Sequence, residues 1–265
     1  EVGTTMQCEV LKNINLKVCS DEFIGIMGHT GSGKSTLIQI MNGLINPLYG
    51  NVLYKNKNIN EKGFDKKMLH CNVGLVFQYP ESQLFEEDVL SDVMFGPMNK
   101  GFSSEKAMES AKRALEMLEI GEYYYKKSPF ELSGGEKRRV AIAGVIAMDS
   151  EIIILDEPTA GLDPKSRINL LDCLKKLRTE MNKTIIIVSH NMEDLANYVD
   201  RLVVINNGKI EFDDNKKSVF KNVDKLESMG LGIPEITYAM RRLYKMGYNV
   251  DATALTIDEA LRGMV

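Results

Sequence analysis

The stretch Gly28-His29-Thr30-Gly31-Ser32-Gly33-Lys34-Ser35-Thr36 decides the fold of this chain. It fits the pattern G-x-x-x-x-G-K-[ST] and lies between an apolar run at 23–27 and a helix-like run at 37–41. This strand–loop–helix context is the one in which the pattern binds phosphate groups. Glycines let backbone N–H groups fold around an anion, and the following helix adds its positive dipole end. The sequence therefore predicts a nucleoside-triphosphate site.

Two side chains of this phosphate loop have predicted roles. Lys34 supplies a positive charge to the outer phosphates. The hydroxyl of Ser35 is placed to ligate Mg²⁺. A glycine-rich turn before an ordinary helix is the alternative interpretation, and the flanking apolar runs disfavour it.

A pair of acids predicts catalytic groups near the loop. Asp156 and Glu157 directly follow the aliphatic run 151–155, which is typical of a buried parallel strand. Open parallel sheets bind ligands at the carboxyl ends of their strands. We expect Asp156 to hold the Mg²⁺ shell and Glu157 to accept a proton from the attacking water or to orient it. A solvated acidic turn is the alternative.

A second anion-binding pattern occurs at Leu132-Ser133-Gly134-Gly135-Glu136, before a run of alanine and aliphatic residues at 140–148. A serine and two glycines at a helix N-terminus can bind an anion. A flexible turn with an N-cap gives the same pattern, so these residues alone do not decide between the two interpretations.

The composition limits the possible functions. The chain has 265 residues, 44% of them hydrophobic and 26% charged, which fits one large core with a small appended domain. The net charge is −4 and no basic run occurs, so nothing points to a nucleic-acid surface. No apolar run approaches the roughly 20 residues that span a bilayer, and we expect no signal peptide. We expect any membrane role to depend on a partner.

The four cysteines are widely spaced and form no C-x-x-C pair. They are typical of reduced thiols in a cytosolic protein, although Cys8 and Cys19 could face each other across a hairpin.

The order of elements predicts an α/β fold with a parallel sheet covered on both faces. Predicted strands lie at 10–18 (alternating from Ile14), 23–27, 50–54, 73–77, 151–155, 184–188, 201–205 and 209–212, with an Asn-Asn-Gly turn between the last two. Predicted helices lie at 37–41, across 84–148 (with one amphipathic stripe that stops near Gly121), at 165–181 and at 191–199. The strands at 10–18, 23–27 and 50–54 also predict a small antiparallel sheet beside the nucleotide. The tail after 213 predicts short helices, one starting at Pro234 and one capped by Thr256 with Glu259.

The combined motifs resemble the ATP-binding-cassette (ABC) ATPases. GHTGSGKST at 28–36, Gln78, LSGGE at 132–136, IIILDE at 152–157, Gly161-Leu162-Asp163 and His190 occur in the family's order and spacing. The resemblance covers residues 1–213, with a helical subdomain at about 80–150, and leaves 214–265 as a C-terminal helical dimerisation region. It implies a P-loop NTPase with a parallel core sheet, an antiparallel β subdomain and an α-helical subdomain that carries LSGGE.

The resemblance also implies roles for individual residues. Gln78 senses Mg²⁺ and the γ-phosphate, and His190 contacts the γ-phosphate and helps to position the water. Ser133, Gly134, Gly135 and Glu136 close on ATP held by the phosphate loop of a second subunit, and Asp163 bridges the two sites. ATP and Mg²⁺ are the implied cofactors. A buried, hydrogen-bonded histidine is the alternative for His190.

A narrower resemblance is to the ATPases of energy-coupling-factor (ECF) importers of vitamins and metals. It rests on 76–87, on Phe95-Gly96-Pro97, on Ser128-Pro129-Phe130-Glu131 and on His29-Thr30, which favours the second of two ATPase subunits. It implies a homo- or heterodimer, a transmembrane scaffold, a substrate-capture membrane subunit and a place on the cytoplasmic face of the membrane. Leu84 and Phe85 are predicted to form an exposed apolar docking pair, with local packing as the alternative.

Two other functions fit the sequence less well than transport. Soluble ABC ATPases that act on DNA carry a long coiled coil, and ribosome-acting members usually carry two cassettes, and this chain has neither. A small-molecule P-loop kinase or GTPase would leave LSGGE without a role. The family usually stacks an aromatic residue on adenine, yet no aromatic precedes Phe23. We expect that residue in an N-terminal segment that precedes Glu1.

Overall fold

The computed structural model describes residues 9–263. The strands are β1 (Phe23–Met27), β2 (Leu53–Tyr54), β3 (Lys57–Asn58), β4 (Val73–Val76), β5 (Ile152–Asp156), β6 (Thr184–Val188), β7 (Arg201–Asn206) and β8 (Lys209–Asn215). The helices are α1 (Lys34–Met41), α2 (Lys66–Asn72), α3 (Val89–Lys100), α4 (Ser104–Met117), α5 (Gly134–Ala147), α6 (Pro164–Met181), α7 (Met192–Tyr198), α8 (Lys216–Lys221), α9 (Val223–Ser228), α10 (Glu235–Lys245) and α11 (Ile257–Arg262). Parallel strand pairs joined through helices confirm the predicted α/β class.

The described chain forms two compact units. The first unit comprises 9–18, 22–37 and 187–263, and the second comprises 19–21 and 38–186. The phosphate loop belongs to the first unit, and Gln78, the LSGGE segment and Asp156-Glu157 belong to the second. The boundary expected at 213 and the helical subdomain expected at 80–150 stay predictions.

In the first unit, β1 pairs in parallel with β7, and β7 pairs antiparallel with β8. All five residues of β1 are buried, and so is the centre of β7, because a strand covered on both faces needs a continuous aliphatic run. The turn between β7 and β8 is Asn207-Gly208, and both residues have positive φ (49° and 78°). This is the two-residue hairpin that Asn-Gly favours, as the sequence predicts.

In the second unit, β4 pairs in parallel with β5, with Val76 opposite Leu155 at the end of the register. Helix α3 packs on α4 and α5, and α4 also packs on α5. The apolar stripe of α4 is buried as its spacing predicts, and the Ser110 hydroxyl within it donates to the Ala147 carbonyl at 2.7 Å. Helix α5, which carries the LSGGE segment at its start, is therefore packed against both α3 and α4.

The C-terminal part of the first unit has a small core of its own. Met240 on α10 packs with Ala254 and with Ala260 on α11. Pro234 is the N-cap of α10, and Gly247 takes φ 91° just after α10 ends. At α11 the Thr256 side chain accepts from the Glu259 N–H, as a capping box requires, but the Glu259 carboxylate accepts from the Leu255 N–H rather than that of Thr256.

The strand predicted at 10–18 is wrong. No strand is assigned in residues 9–22, and Asn13 takes φ 52°, which breaks an extended run. The Lys12 N–H instead donates to the Gly208 carbonyl at 2.7 Å. The small antiparallel sheet within 9–263 consists of β2 and β3 alone, with Leu53 opposite Asn58. Of the predicted strand 50–54, only Leu53–Tyr54 forms.

The helical stretch predicted across 84–148 is divided into three helices. The breaks contain short 3₁₀ helices at Glu122–Tyr124 and Pro129–Glu131. Helix α4 ends at Met117 rather than at Gly121, because Glu119 takes the left-handed φ of 57° that ends the helix. A left-handed glutamate is uncommon, so the sequence carries no signal for this stop.

Two further sequence predictions concern the thiols and the membrane. Cys8 lies outside the described residues, so its pairing with Cys19 stays untested, and Cys71 and Cys173 are free thiols. Among residues 9–263, no helix is both long and apolar enough to cross a membrane.

Gly208 generates a test of the fold. Alanine there would keep φ 78° and place its Cβ 2.2 Å from the Val10 carbonyl oxygen. We expect Gly208→Ala to lower the free energy of unfolding by about 1–3 kcal/mol, measured from urea midpoints. Gly230→Ala is the matched control, because Gly230 also has positive φ (71°) but no atom within 4 Å of a built Cβ. Equal losses in the two variants would contradict the close approach of 9–18 to the hairpin.

Candidate nucleotide-binding site

The phosphate loop is fixed by its surroundings in the first unit. Gly28 follows β1 directly, and a Cβ there would lie 2.2 Å from the Ile205 carbonyl oxygen on β7. The Ser32 N–H donates to the His29 carbonyl at 3.1 Å, which closes the loop. The Leu37 N–H then donates to the Gly33 carbonyl at 2.9 Å and begins α1. The loop therefore leads from a buried strand into a helix N-terminus, as phosphate binding requires.

Two polar groups of the loop are buried. Lys34 is 7% exposed, and its ammonium donates to the carbonyls of Gly28 at 2.7 Å and His29 at 3.0 Å. Ser32 is 1% exposed, and its Oγ has no hydrogen-bond partner in the part of the chain that the structure describes. A buried hydroxyl without a partner costs about 1–3 kcal/mol. A loop with a buried ammonium and an unsatisfied hydroxyl fits an anionic ligand.

The segment before β1 also lies against the loop. A Cβ on Gly33, which has φ 107°, would lie 2.7 Å from the Leu11 side chain and 3.2 Å from the Val10 carbonyl oxygen. The sequence predicts the glycine for its positive φ, but this close approach depends on a distant segment that sequence spacing does not reveal.

His190 lies in the same unit as the loop. The Ser189 N–H, at the end of β6, donates to the Ile26 carbonyl of β1 at 3.2 Å. Asn191 caps α7 by accepting from the Asp194 N–H at 3.0 Å. His190 is therefore held between a strand end and a helix cap, and it is exposed rather than interior. The alternative of a buried structural histidine is wrong.

In the second unit the structure brings Gln78 and Glu157 together. Each lies two residues beyond the Val76–Leu155 pair that ends the parallel register of β4 and β5. Their backbone carbonyls both accept from Arg138 Nη2, at 2.5 Å from Gln78 and 2.9 Å from Glu157.

The two acids at the end of β5, Asp156 and Glu157, differ in burial and in backbone conformation. Asp156 is the last residue of β5 and is 7% exposed. Glu157 has φ 49°, and a left-handed glutamate is a strained conformation of the kind that occurs at functional sites. The carboxyl end of β5 therefore carries a buried acid and, next to it, an acid with a strained backbone.

The LSGGE segment forms a capped helix start. Ser133 is the N-cap of α5, its Oγ accepts from the Glu136 N–H at 3.4 Å, and its own N–H donates to the Glu136 carboxylate at 2.8 Å. A Cβ built on Gly134 meets no atom within 4 Å. Hydrogen bonds from Ser133 and then Tyr124 hold the pKa of Glu136 below its usual range. The exposed N-terminus of α5 can therefore receive an anion from outside.

Asp163 caps the next helix. Its carboxylate accepts from the N–H groups of Lys165 at 3.0 Å and Ser166 at 3.1 Å at the start of α6. Hydrogen bonds from Ser166 lower the pKa of Asp163, and the side chain is exposed. Its predicted bridging role is not tested by this local capping.

The sequence matches the ABC transporter family over residues 11–160. An energy-coupling factor transporter ATP-binding protein, EcfA2 of Caldanaerobacter subterraneus subsp. tengcongensis, is 48% identical over 97% of this chain and 90% of that protein. The chain belongs to the ABC transporter family. Its relatives also confirm the narrower resemblance to ECF ATP-binding proteins of the second ATPase type.

Solved structures of ABC proteins are similar to this chain in fold and in sequence. CbiO1 of Clostridium perfringens, part of the ABC transporter complex cbiONQ, has a TM-score of 0.74 and 34% identity over 90% of this chain and 92% of that chain. The ATP-binding cassette MJ0796, in a dimeric post-hydrolysis state bound to ADP and Pi, has a TM-score of 0.72 and 32% identity over 80% of this chain and 94% of that chain. The P-loop NTPase class and the assignment as an ABC ATPase are thereby confirmed.

Sequence reasoning missed several contacts in this ABC protein. Arg138 is buried among the apolar residues of α5, and a charge on the apolar face of a helix is the signal that could have revealed it. The hydrogen bond between Tyr124 and Glu136 left no sequence signal.

The prediction that Leu84 and Phe85 form an exposed pair is wrong for Leu84, which is 6% exposed. Phe85 is 57% exposed, and its ring packs edge-on against the ring of Phe95, with 4.8 Å between the ring centroids. The apolar contact that buries Leu84 follows from tertiary packing.

The cap at Glu136 predicts a pH dependence. Because folding lowers the pKa of Glu136, its charge stabilises the fold above its unfolded pKa, and that contribution is lost as pH falls through the lower folded pKa. We expect Glu136→Gln to lower the urea midpoint at pH 7 and the difference from wild type to shrink as pH falls below about 4.5. Glu109→Gln, an exposed position on α4, is the control. A difference that stays constant with pH would contradict the charged cap.

Proposed function

We propose that the chain is the ATP-hydrolysing motor subunit of an ECF-type ABC importer, which couples an ATPase dimer to uptake of a vitamin or transition-metal ion. The observation that carries this proposal is the 48% identity to an ECF transporter ATP-binding protein over 97% of the chain. The geometry of the phosphate loop supports it, because that loop fits a polyphosphate anion. The net charge of −4 gives no support for a nucleic-acid partner.

ATP and Mg²⁺ are the proposed cofactors. Ser35, Gln78 and Asp156 offer hydroxyl, amide and carboxylate oxygens, the hard ligands that Mg²⁺ prefers. Residues 9–263 contain no cluster of three or more His, Cys, Asp and Glu that could hold a metal ion. A magnesium ion bound with nucleotide phosphates needs only one or two carboxylates. Mg²⁺ supplies charge neutralisation on the phosphates when bound.

Glu157 and His190 are the proposed catalytic residues. Glu157 at the end of β5 accepts a proton from the attacking water or orients it, and exposed His190 contacts the γ-phosphate and positions the water. The main-chain strain at Glu157 supports a functional rather than a structural acid.

A second ATPase subunit completes the proposed site. Ser133 is exposed and Gly134 has open space around it, so the N-terminus of α5 can approach ATP on another chain. Lys34 and Ser35 then hold one ATP, and Ser133, Gly134, Gly135 and Glu136 of the same chain serve another. Asp163, which follows Glu157 in the sequence, is proposed to bridge the two ATP sites of the dimer. The dimeric ATP-binding cassette MJ0796 is a precedent for such pairing.

The proposed place of the chain is the cytoplasmic face of the membrane. It binds there to a transmembrane scaffold and, through it, to a substrate-capture subunit. The membership of CbiO1 in the cbiONQ complex supports such an assembly. The exposed ring of Phe85 beside Phe95 is the proposed contact with the scaffold.

Glu157→Gln tests the catalytic assignment. The amide keeps the shape of the side chain but cannot accept a proton, so we expect ATP binding to persist and hydrolysis to fall by at least about 100-fold. Nucleotide titration and phosphate release measure the two effects, with Glu109→Gln as the matched control. Hydrolysis at the wild-type rate would contradict the role of Glu157.

Phe85→Asp tests the membrane contact. Since the ring is already 57% exposed, we expect the variant to keep its melting temperature but to co-purify poorly with the membrane scaffold. Tyr123→Asp is the control, because Tyr123 is 76% exposed and lies elsewhere in the same unit. Full recovery of the complex with Phe85→Asp would refute the contact.

A further inference from the structure

Arg138 carries a buried positive charge in the second unit. It is 5% exposed, although it lies on α5 in line with the buried residues Ile142 and Ile146. Burying an ion costs several kcal/mol unless hydrogen bonds compensate. The partners of Arg138 must therefore contribute substantially to the fold around it.

Arg138 donates hydrogen bonds to backbone carbonyls from two different segments. Nη2 donates to Gln78 at 2.5 Å and to Glu157 at 2.9 Å, and Nη1 donates to Ala160. Gln78 follows β4, whereas Glu157 and Ala160 follow β5. The guanidinium is planar and holds its donors in a rigid fork, so it sets the spacing of the carbonyls that it binds.

One of these carbonyls belongs to a strained turn. Glu157 has φ 49°, and its carbonyl also accepts the Ala160 N–H at 3.2 Å. A left-handed glutamate is a strained conformation that persists only where its surroundings hold it. Arg138 contacts this turn at both ends, through Glu157 and through Ala160.

The same arginine belongs to the helix that LSGGE begins. Ser133 is the N-cap of α5, and Arg138 lies five residues further along. A displacement of α5 therefore moves the donors that hold the Gln78 and Glu157 backbones.

We propose that Arg138 is a positioning residue that couples α5 to the hydrolytic residues of the same chain. By holding the Gln78 and Glu157 carbonyls in one fork, it fixes where these two residues stand relative to the start of α5. Closure of Ser133 on a second subunit's ATP is thereby transmitted to Glu157. This inference rests on the proposed ATPase function and adds a residue outside the motifs that define it.

The test compares Arg138→Lys and Arg138→Gln with wild type. Lysine keeps the charge but lacks the planar fork, and glutamine keeps a planar donor without charge. We expect both variants to bind ATP within about threefold of the wild-type Kd and to lose about 10- to 100-fold in kcat. Arg113→Lys, an exposed position on α4, is the control for the same chemical change and should keep kcat within about twofold.

Each outcome decides the proposal. Unchanged kcat in both variants overturns it, and so does a parallel loss of ATP affinity, kcat and melting temperature, which indicates a structural role only. A kcat loss that is smaller in the Glu157→Gln background than in wild type supports coupling to Glu157, and equal losses in the two backgrounds contradict it. Absence of hydrolysis in the wild-type dimer would instead refute the proposed function, so the two failures are distinguishable.

Discussion

The hydrogen bonds from the Lys34 ammonium to the carbonyls of Gly28 and His29 are the contacts on which the nucleotide site depends. They hold a buried charge inside a loop that has little freedom, because Gly28 has no room for a side chain beside β7. A rigid loop with a buried ammonium is preorganised for phosphate, since its donors need not be ordered when the ligand arrives. Within the first unit, β7 lies against the loop at Gly28, and Ser189, just before His190, donates to the Ile26 carbonyl on the strand that leads into the loop.

In the second unit a buried charge is likewise held by backbone carbonyls. The parallel register of β4 and β5 places Gln78 and Glu157 level with each other, and one buried guanidinium binds the carbonyls of both. The strain at Glu157 is tolerated because this network holds the turn. The exposed cap at Ser133 and the buried guanidinium of Arg138 lie on one helix, so the proposed recognition of a second subunit and the proposed positioning of Glu157 share α5.

The sequence predicted the parts of this structure that depend on local chemistry. Aliphatic runs gave β1, β5 and β6, an Asn-Gly pair gave the hairpin turn, and the motif residues lie at strand ends and helix starts as expected. Long-range contacts were not predictable. The segment at 10–18 alternates like a strand but is broken at Asn13, Leu84 is buried although its neighbours in sequence are polar or exposed, and the carbonyl partners of Arg138 leave no trace in side-chain patterns.

The phosphate loop is proposed to bind ATP through the buried charge of Lys34. Calorimetric titration of the full chain with Mg-ATP tests it most directly, with Lys34→Ala against Lys209→Ala, an exposed lysine of the same unit. We expect wild type and Lys209→Ala to bind with the same Kd, and Lys34→Ala to bind at least about 30-fold more weakly, because removing one partner of a buried charge interaction costs 2 kcal/mol or more. Equal affinity of all three proteins would contradict the claim.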